Sequence, residues 1–192
     1  QRTQETLRTA LAMGSDNAVW IETPEITDSF QVAKALAEAL KKEAKADLIF
    51  TGKQAIDDDC SQVSQLVATM LEMPYVTVAL NAEYTAPTVT VKRETEGGSL
   101  EVIQMQMPCL IAAQKGMNEP RFASLPNIMK AKKKEIKAYK LADLGVSDAD
   151  RKIKLVNLRL PAAKQAGKKV TGDAATQAKE LVRLLHEEAK VI

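Results

Sequence analysis

The segment 47–71, DLIFTGKQAIDDDCSQVSQLVATML, decides the fold because it joins a strand, a polar loop and a helix in direct succession. The short apolar run Asp47–Gly52 predicts a buried strand, and apolar residues after the loop recur at helical spacing up to Pro74. Those helical positions are Val63, Leu66, Val67, Met70 and Leu71. Ligands in open α/β sheets gather at the carboxyl ends of strands, so the intervening loop is a candidate binding site.

The residues before this segment repeat the same alternation. A first helix is predicted to stop at Gly14, and Ala18–Glu22 is predicted to be a strand. Thr27 and Asp28 are candidate caps of a second helix. The apolar face predicted for that helix consists of Val32, Leu36, Ala39 and Leu40. Helices that alternate with strands in this way predict an α/β fold with a doubly wound, mostly parallel sheet.

Further along the chain the apolar period changes to two. Three antiparallel strands are predicted, YVTVAL, TVTVKRE and SLEVIQMQM, with a glycine turn at 95–99. They are assigned to the same α/β domain, residues 1–145, whose N-terminal part is expected to be missing from this sequence. Regular structure is expected to thin out after Pro120.

Residues 146–192 are predicted to form a C-terminal arm and a terminal helix. Asp173 is the candidate cap of that helix. Its apolar stripe consists of Ala178, Leu181, Val182, Leu185 and Ala189. We expect this helix to pack either on its own domain or on a partner subunit.

The composition excludes several classes of protein. Hydrophobic residues make up 45% of the chain and charged residues 27%, which is typical of a folded globular protein. The net charge of +2 argues against a general nucleic-acid-binding surface. The sequence contains no run of about 18 apolar residues, so a membrane span is not predicted. Cys60 and Cys109 suggest neither a disulfide framework nor a zinc site, so a reducing compartment is expected.

The loop after the second strand has two opposing features. Gly52 allows close approach of the backbone, and the following helix N-terminus favours an anion such as phosphate. Asp57, Asp58 and Asp59 would repel a phosphate unless they cap the helix, accept from ribose hydroxyls or hold a cation. His186 is predicted to be a surface residue, and no catalytic triad can be assembled around it. We therefore expect a chain whose chemistry belongs to something it binds, with a metal-dependent adenine-nucleotide-binding enzyme as the alternative.

Three stretches carry a close resemblance to a known family. They are GKQAIDDDCSQ (52–62), NEPRFASLPNIMKAKKK (118–134) and QETLRTALAMGSD (4–16), and they resemble the β subunits of electron transfer flavoproteins. The resemblance implies an adenine-nucleotide-hydrolase-like form of the doubly wound α/β fold. It also implies a heterodimer in which the α subunit holds most of the FAD and the β subunit holds a structural AMP. It implies electron transfer from acyl-CoA dehydrogenases and related flavoenzymes to a membrane quinone oxidoreductase, without catalytic residues in the β subunit. A bacterial cytoplasm or a mitochondrial matrix is the implied location.

The resemblance assigns the nucleotide contacts by position. They are Thr3, Gly52, Lys53, Gln54, Ala55, Ile56, Asp57, Asp58, Asp59, Cys60, Ser61, Gln62 and Val63. The family run Cys-Asn-Gln-Thr-Gly is replaced here by Cys60-Ser61-Gln62-Val63-Ser64, which removes two side-chain donors, each worth on the order of 1 kcal/mol. AMP remains the expected ligand. An empty site, or a second FAD as in electron-bifurcating relatives, is the alternative.

The resemblance also explains the junction of apolar and cationic residues in FASLPNIMKAKKKEIKA (122–138). It implies a recognition loop at 113–135 that docks on dehydrogenases through Leu125. The other residues assigned to partner binding are Pro126, Ile128, Met129, Lys130 and Lys133 in the loop and Glu94, which is implied to pair with an α-subunit arginine. An apolar anchor beside lysines would combine a small binding hot spot with electrostatic steering.

Overall fold

The structure is a computed structural model that describes residues 2–23, 28–43, 45–154, 156–157, 159–163 and 166–192. Thr27, one of the two candidate caps, lies outside the described residues. The chain divides into two compact units, residues 1–154 and residues 155–192. The helices are α1 Arg2–Ala12, α2 Ser29–Glu43, α3 Val63–Met70, α4 Leu125–Lys133 and α5 Ala174–Arg183. The strands are β1 Val19–Glu22, β2 Leu48–Gly52, β3 Tyr75–Thr85, β4 Thr88–Glu94, β5 Leu100–Gln106, β6 Cys109–Ala113 and β7 Lys137–Lys140.

The predicted mixed α/β fold is confirmed. Five strands form one sheet in the order β2-β6-β3-β4-β5, where β6 pairs in parallel with β2 and β3, and β4 pairs antiparallel with β3 and β5. β1 and β7 form a separate two-stranded parallel sheet. The predicted hairpin between β4 and β5 turns at Gly97 and Gly98, where φ values of 75° and 77° suit glycine.

The core lies on both sides of β6. Its residues alternate between two apolar clusters, so that Cys109 and Ile111 pack with β3, β4 and β5 while Leu110 and Ala112 pack with α2 and α3. All four side chains are fully buried. A strand that is buried on both faces needs a continuous apolar sequence, which CLIAA supplies.

The prediction of which residues of α2 face the core is partly wrong. Its buried residues are Gln31 and four alanines, Ala33, Ala35, Ala37 and Ala39. Leu36 remains 38% exposed and lines an open cavity of about 430 Å³ together with Leu7 and Trp20. The alanines are buried because α2 contributes to two separate clusters, one with β2 and β6 and one with β1 and β7. Small side chains on several faces let the helix approach both sheets closely.

Regular structure continues beyond Pro120, contrary to expectation. Residues 125–133 form α4 and residues 137–140 form β7, which pairs with β1. Pro126 is compatible with α4 because it occupies the first turn, where the missing N–H would have no helical partner. The strand β7 depends on pairing with β1, and its four-residue polar sequence does not predict this contact.

Asp28 caps α2 as predicted and also binds the backbone of residues 152–153. Its carboxylate accepts hydrogen bonds from the backbone N–H of Gln31 at 2.8 Å and of Ile153 at 2.9 Å, and from that of Lys152. Burial raises the pKa of Asp28, but these backbone donors and the charge of Arg151 outweigh it, so the pKa lies below its usual value. The ionised carboxylate therefore stabilises both the helix start and residues 152–153.

Asp28→Ala is expected to lower the free energy of unfolding by about 1–2 kcal/mol, since it removes an N-cap. Because the folded-state pKa is depressed, this contribution is present above the unfolded-state pKa of about 3.9 and is lost as pH falls through the folded-state value. Urea unfolding at pH 7 and pH 3 would test both statements. Asp16→Ala, at an exposed position, is the control; equal effects of the two variants at pH 7 would contradict the capping role.

Candidate functional site

The predicted nucleotide loop begins at the carboxyl edge of the parallel strands. Gly52 ends β2 directly opposite Ala113, which ends β6, and the Lys53 N–H donates to the Ala113 carbonyl at 3.0 Å. The loop 53–62 and the segment 114–124, which leads to α4, therefore leave the sheet from neighbouring strands. The two predicted functional segments share one edge of the sheet.

The loop is held by its own side chains. Gln54 donates through its amide nitrogen to Asp59 at 2.6 Å and accepts at its amide oxygen from the Ser61 hydroxyl at 2.6 Å. Asp59 and Ser61 both have positive φ values, 52° and 51°, so the chain turns sharply on either side of Cys60. Gln54 thus fixes the turn and takes up the hydroxyl proton of Ser61.

Asp58 is also turned into the loop. Its carboxylate accepts from the Cys60 N–H at 3.1 Å and from the Cys60 thiol. The bond from the thiol is the main cause of a raised Cys60 pKa, followed by burial and the negative charge of Asp58, while a hydrogen bond with Ser29 acts in the opposite direction. Ser29 is the first residue of α2, so the N-terminus of a second helix lies against the loop. No local sequence pattern predicts this contact.

Asp58→Asn is expected to speed alkylation of Cys60 by iodoacetamide at pH 8 by about threefold to tenfold. The reason is that removal of the carboxylate lowers the thiol pKa and increases the thiolate fraction. Asp57→Asn is the matched control, because Asp57 is not among the groups that raise this pKa. Buried Cys109 should stay unmodified in both folded proteins. Equal rates for the two variants would contradict the assigned hydrogen bond.

The start of α3 is suited to an anion. Gln62, its N-cap, makes no side-chain capping hydrogen bond in the described structure, and the first N–H groups of a helix have no intrahelical partner. Ser64 is buried and its hydroxyl lies 2.8 Å from the Thr51 hydroxyl and 3.2 Å from the Gly52 carbonyl. Ser64 therefore fastens α3 to the end of β2. Space is open around Gly52, because no described atom beyond Gly52 and its chain neighbours lies within 4 Å of the position that a side chain would take there.

Thr3 lies at a different place from the loop. It lines a cavity of about 810 Å³ at the carboxyl ends of β1 and β7, together with Trp20, Thr23 and Lys140. Residues 52–63 do not line that cavity. The structure thus places the loop residues assigned to nucleotide binding in one turn and Thr3 at another cavity, and the nucleotide contacts of both stay predictions.

The aspartate triplet does not form a metal site within the described residues, where no group of three or more His, Cys, Asp or Glu side chains could hold an ion. Asp58 and Asp59 accept hydrogen bonds from loop donors, as described above. All three aspartates are nevertheless exposed, so a phosphate beside this turn would meet their carboxylates.

The predicted recognition residues lie on α4 and not on an irregular loop. Leu125, Ile128 and Met129 are exposed by 73%, 38% and 52%, respectively. The basic residues of the last turn are Lys130, Lys132 and Lys133, and all three are exposed. The helix α4 therefore presents an apolar end beside a cationic end. Glu94 is exposed at the end of β4, opposite Leu100 of β5.

No helix in the part of the chain that the structure describes is both long and apolar enough to cross a bilayer.

The fold and loop define a mixed α/β protein with an anion-competent helix N-terminus at the carboxyl edge of its parallel strands. The sequence of residues 1–144 matches the family model of the electron transfer flavoprotein domain. The chain is 45% identical over 187 aligned positions to the mouse (Mus musculus) protein named electron transfer flavoprotein subunit beta, covering 94% of this chain and 72% of that protein. The Bacillus subtilis protein of the same name is 41% identical over 197 positions, covering 100% and 76%.

The same name is carried by a Bradyrhizobium diazoefficiens protein that is 39% identical over 188 positions, covering 98% of this chain and 72% of that protein. The chain therefore belongs to the electron transfer flavoprotein family. Membership confirms the resemblance and the predicted class of electron transport with an associated flavin.

Proposed function

We propose that the chain is the β subunit of a heterodimeric, FAD-containing electron carrier. It accepts electrons from acyl-CoA dehydrogenases and related flavoenzymes and passes them to a membrane quinone oxidoreductase, while its α subunit holds most of the FAD. The observation that supports docking most strongly is Leu125, an apolar side chain 73% exposed at the start of a helix. An exposed apolar anchor beside lysines is a surface adapted to brief association with acidic partners.

The loop 52–63 fits an AMP-type ligand held mainly by backbone amides. The uncapped start of α3 offers N–H groups and a partial positive charge to a phosphate, and Gly52 leaves room for close approach. Ser61 is bonded to Gln54 and Val63 has no polar side-chain atom, so these two residues contribute through the backbone. When bound, AMP would be a structural ligand, and the flavin would supply the electron chemistry.

The test is to purify the chain with its co-purifying α subunit, denature the complex and identify the released nucleotides by chromatography. One FAD and one AMP per heterodimer are expected. One FAD alone would keep the electron-carrier function and refute AMP binding by the altered loop. Two FAD would assign the chain to the electron-bifurcating branch, and absence of flavin and of a flavoprotein partner would overturn the proposal.

A further inference from the structure

The helix α4, which we call the docking helix, has little apolar burial of its own. Its only buried residue is Ala131, which is 3% exposed and packs on Leu11 and Ala12 of α1. A nine-residue helix is marginal in isolation, since most helical stability in proteins comes from tertiary packing. Ala18, Ala123 and Ile136 pack around this contact, but Ala131 is the only residue of α4 that is buried. Polar contacts with α1 add to this small apolar interface and help to fix the direction of α4.

Those polar contacts lie at the C-terminal end of α4. The Arg8 Nη1 group, on α1, donates to the Ala131 carbonyl at 2.6 Å and to the Lys134 carbonyl. The last carbonyls of a helix lack intrahelical donors and carry partial negative charge, so a guanidinium there is both a hydrogen-bond partner and a favourable charge. Charge-assisted hydrogen bonds of this kind are stronger than neutral ones.

A second contact runs in the opposite direction. Lys134, the C-cap of α4, donates from its Nζ to the carbonyls of Ser15 and Asp16 at 2.7 and 3.1 Å, just after α1 ends. Arg8 therefore reaches from α1 to α4, and Lys134 reaches back from α4 to the segment after α1. Both contacts hold the C-terminal end of α4, and together they restrict its rotation as well as its distance from α1.

We propose that Arg8, assisted by Lys134, is a positioning residue that holds the docking helix so that Leu125 is presented in a fixed direction. This role rests on the docking function proposed above for α4. Leu125 and Ala131 are about 9 Å apart along the helix, so a tilt of about 10° at the attached end moves Leu125 by roughly 1.6 Å. A gap of 0.5–1 Å already removes a quarter to a half of a van der Waals contact. A loosened α4 would therefore weaken docking without any change in the docking residues.

The test uses the purified heterodimer and a medium-chain acyl-CoA dehydrogenase reduced with its acyl-CoA. Flavin reduction is measured as a function of heterodimer concentration for Arg8→Gln, for Leu125→Ala and for the double variant. Arg8→Gln is expected to raise the apparent KM about threefold to tenfold, with the limiting rate, FAD content and flavin absorption spectrum unchanged. Arg2→Gln removes the same charge from the exposed start of α1 and is the matched control.

The double variant separates positioning from other effects. If Arg8 acts through Leu125, Arg8→Gln adds little to the KM of Leu125→Ala; an equal increase in both backgrounds would overturn the inference. If Leu125→Ala raises the KM and Arg8→Gln leaves it unchanged, the positioning role of Arg8 is overturned and the docking function of α4 is kept. An ineffective Leu125→Ala would instead refute the docking function.

Local hydrogen exchange and a conservative variant distinguish a positioning role of Arg8 from a general effect on folding. Arg8→Gln is expected to speed amide exchange in residues 125–133 and to leave β6 unchanged. Arg8→Lys, which keeps a cationic donor at the helix end, should restore most of the parental KM. Failure of Arg8→Lys to restore it together with faster exchange in β6 would identify a role in folding and overturn the positioning role. Lys134→Gln is expected to change KM in the same direction as Arg8→Gln.

Discussion

Leu125→Ala is expected to lower the second-order rate constant for flavin reduction by an acyl-CoA dehydrogenase about tenfold. A tenfold change corresponds to about 1.4 kcal/mol, and burial of the three carbon atoms lost from leucine is worth about 2 kcal/mol at 0.8 kcal/mol per group. Leu125 is 73% exposed in the chain, so its truncation removes little from the core. The expected loss therefore falls on docking and not on folding.

Stopped-flow reduction of the heterodimer at several concentrations would measure this effect. FAD content and thermal stability should match those of the parent. Val102→Ala is the control, because Val102 is 63% exposed on β5 and its truncation also removes apolar surface. Parental rates in Leu125→Ala, or an equal decrease in both variants, would refute α4 as the docking surface.

The alternation of helices and strands in the first 74 residues could be predicted because each element has a local pattern. Gly14 and Asp28 mark a helix end and a helix start, and the loop after Gly52 follows directly from the strand that precedes it. The position of the candidate nucleotide loop at the carboxyl edge was therefore accessible from sequence. Its internal arrangement was not, because the bonds of Gln54 and the approach of Ser29 depend on how the loop folds back.

Elements that depend on distant partners escaped prediction. The strand β6 follows Pro108 as a continuous apolar run without alternation, which makes it hard to separate from the strand before it. β7 is short and largely polar and is stabilised by pairing with β1. The helix α4 has only one buried residue, and the arginine that caps its C-terminus lies more than 120 positions earlier in the chain. Local sequence patterns carry no information about such contacts.

Leu181→Asp is expected to weaken association with the α subunit about a hundredfold, which corresponds to about 2.7 kcal/mol. The cap predicted for α5 is confirmed, since Asp173 accepts from the Thr176 N–H at 2.8 Å. Leu181 and Val182 nevertheless remain 51% and 56% exposed, and no residue of α5 is buried. An amphipathic helix gains stability by covering its apolar stripe, and we expect the α subunit of the proposed heterodimer to cover this one.

The opposite face of α5 supplies the control. Arg183 there bonds to Glu180 at 2.6 Å and to Glu187 at 2.9 Å, so this face is charged and compatible with solvent. Lys179→Asp also introduces an aspartate, about half a turn of the helix away from Leu181, and should leave association unchanged. Analytical ultracentrifugation of the two variants with the α subunit gives the dissociation constants, and circular dichroism checks that α5 stays helical. Equal affinities for Leu181→Asp and Lys179→Asp would exclude the apolar stripe from the subunit interface, because a charge buried without a partner must weaken binding.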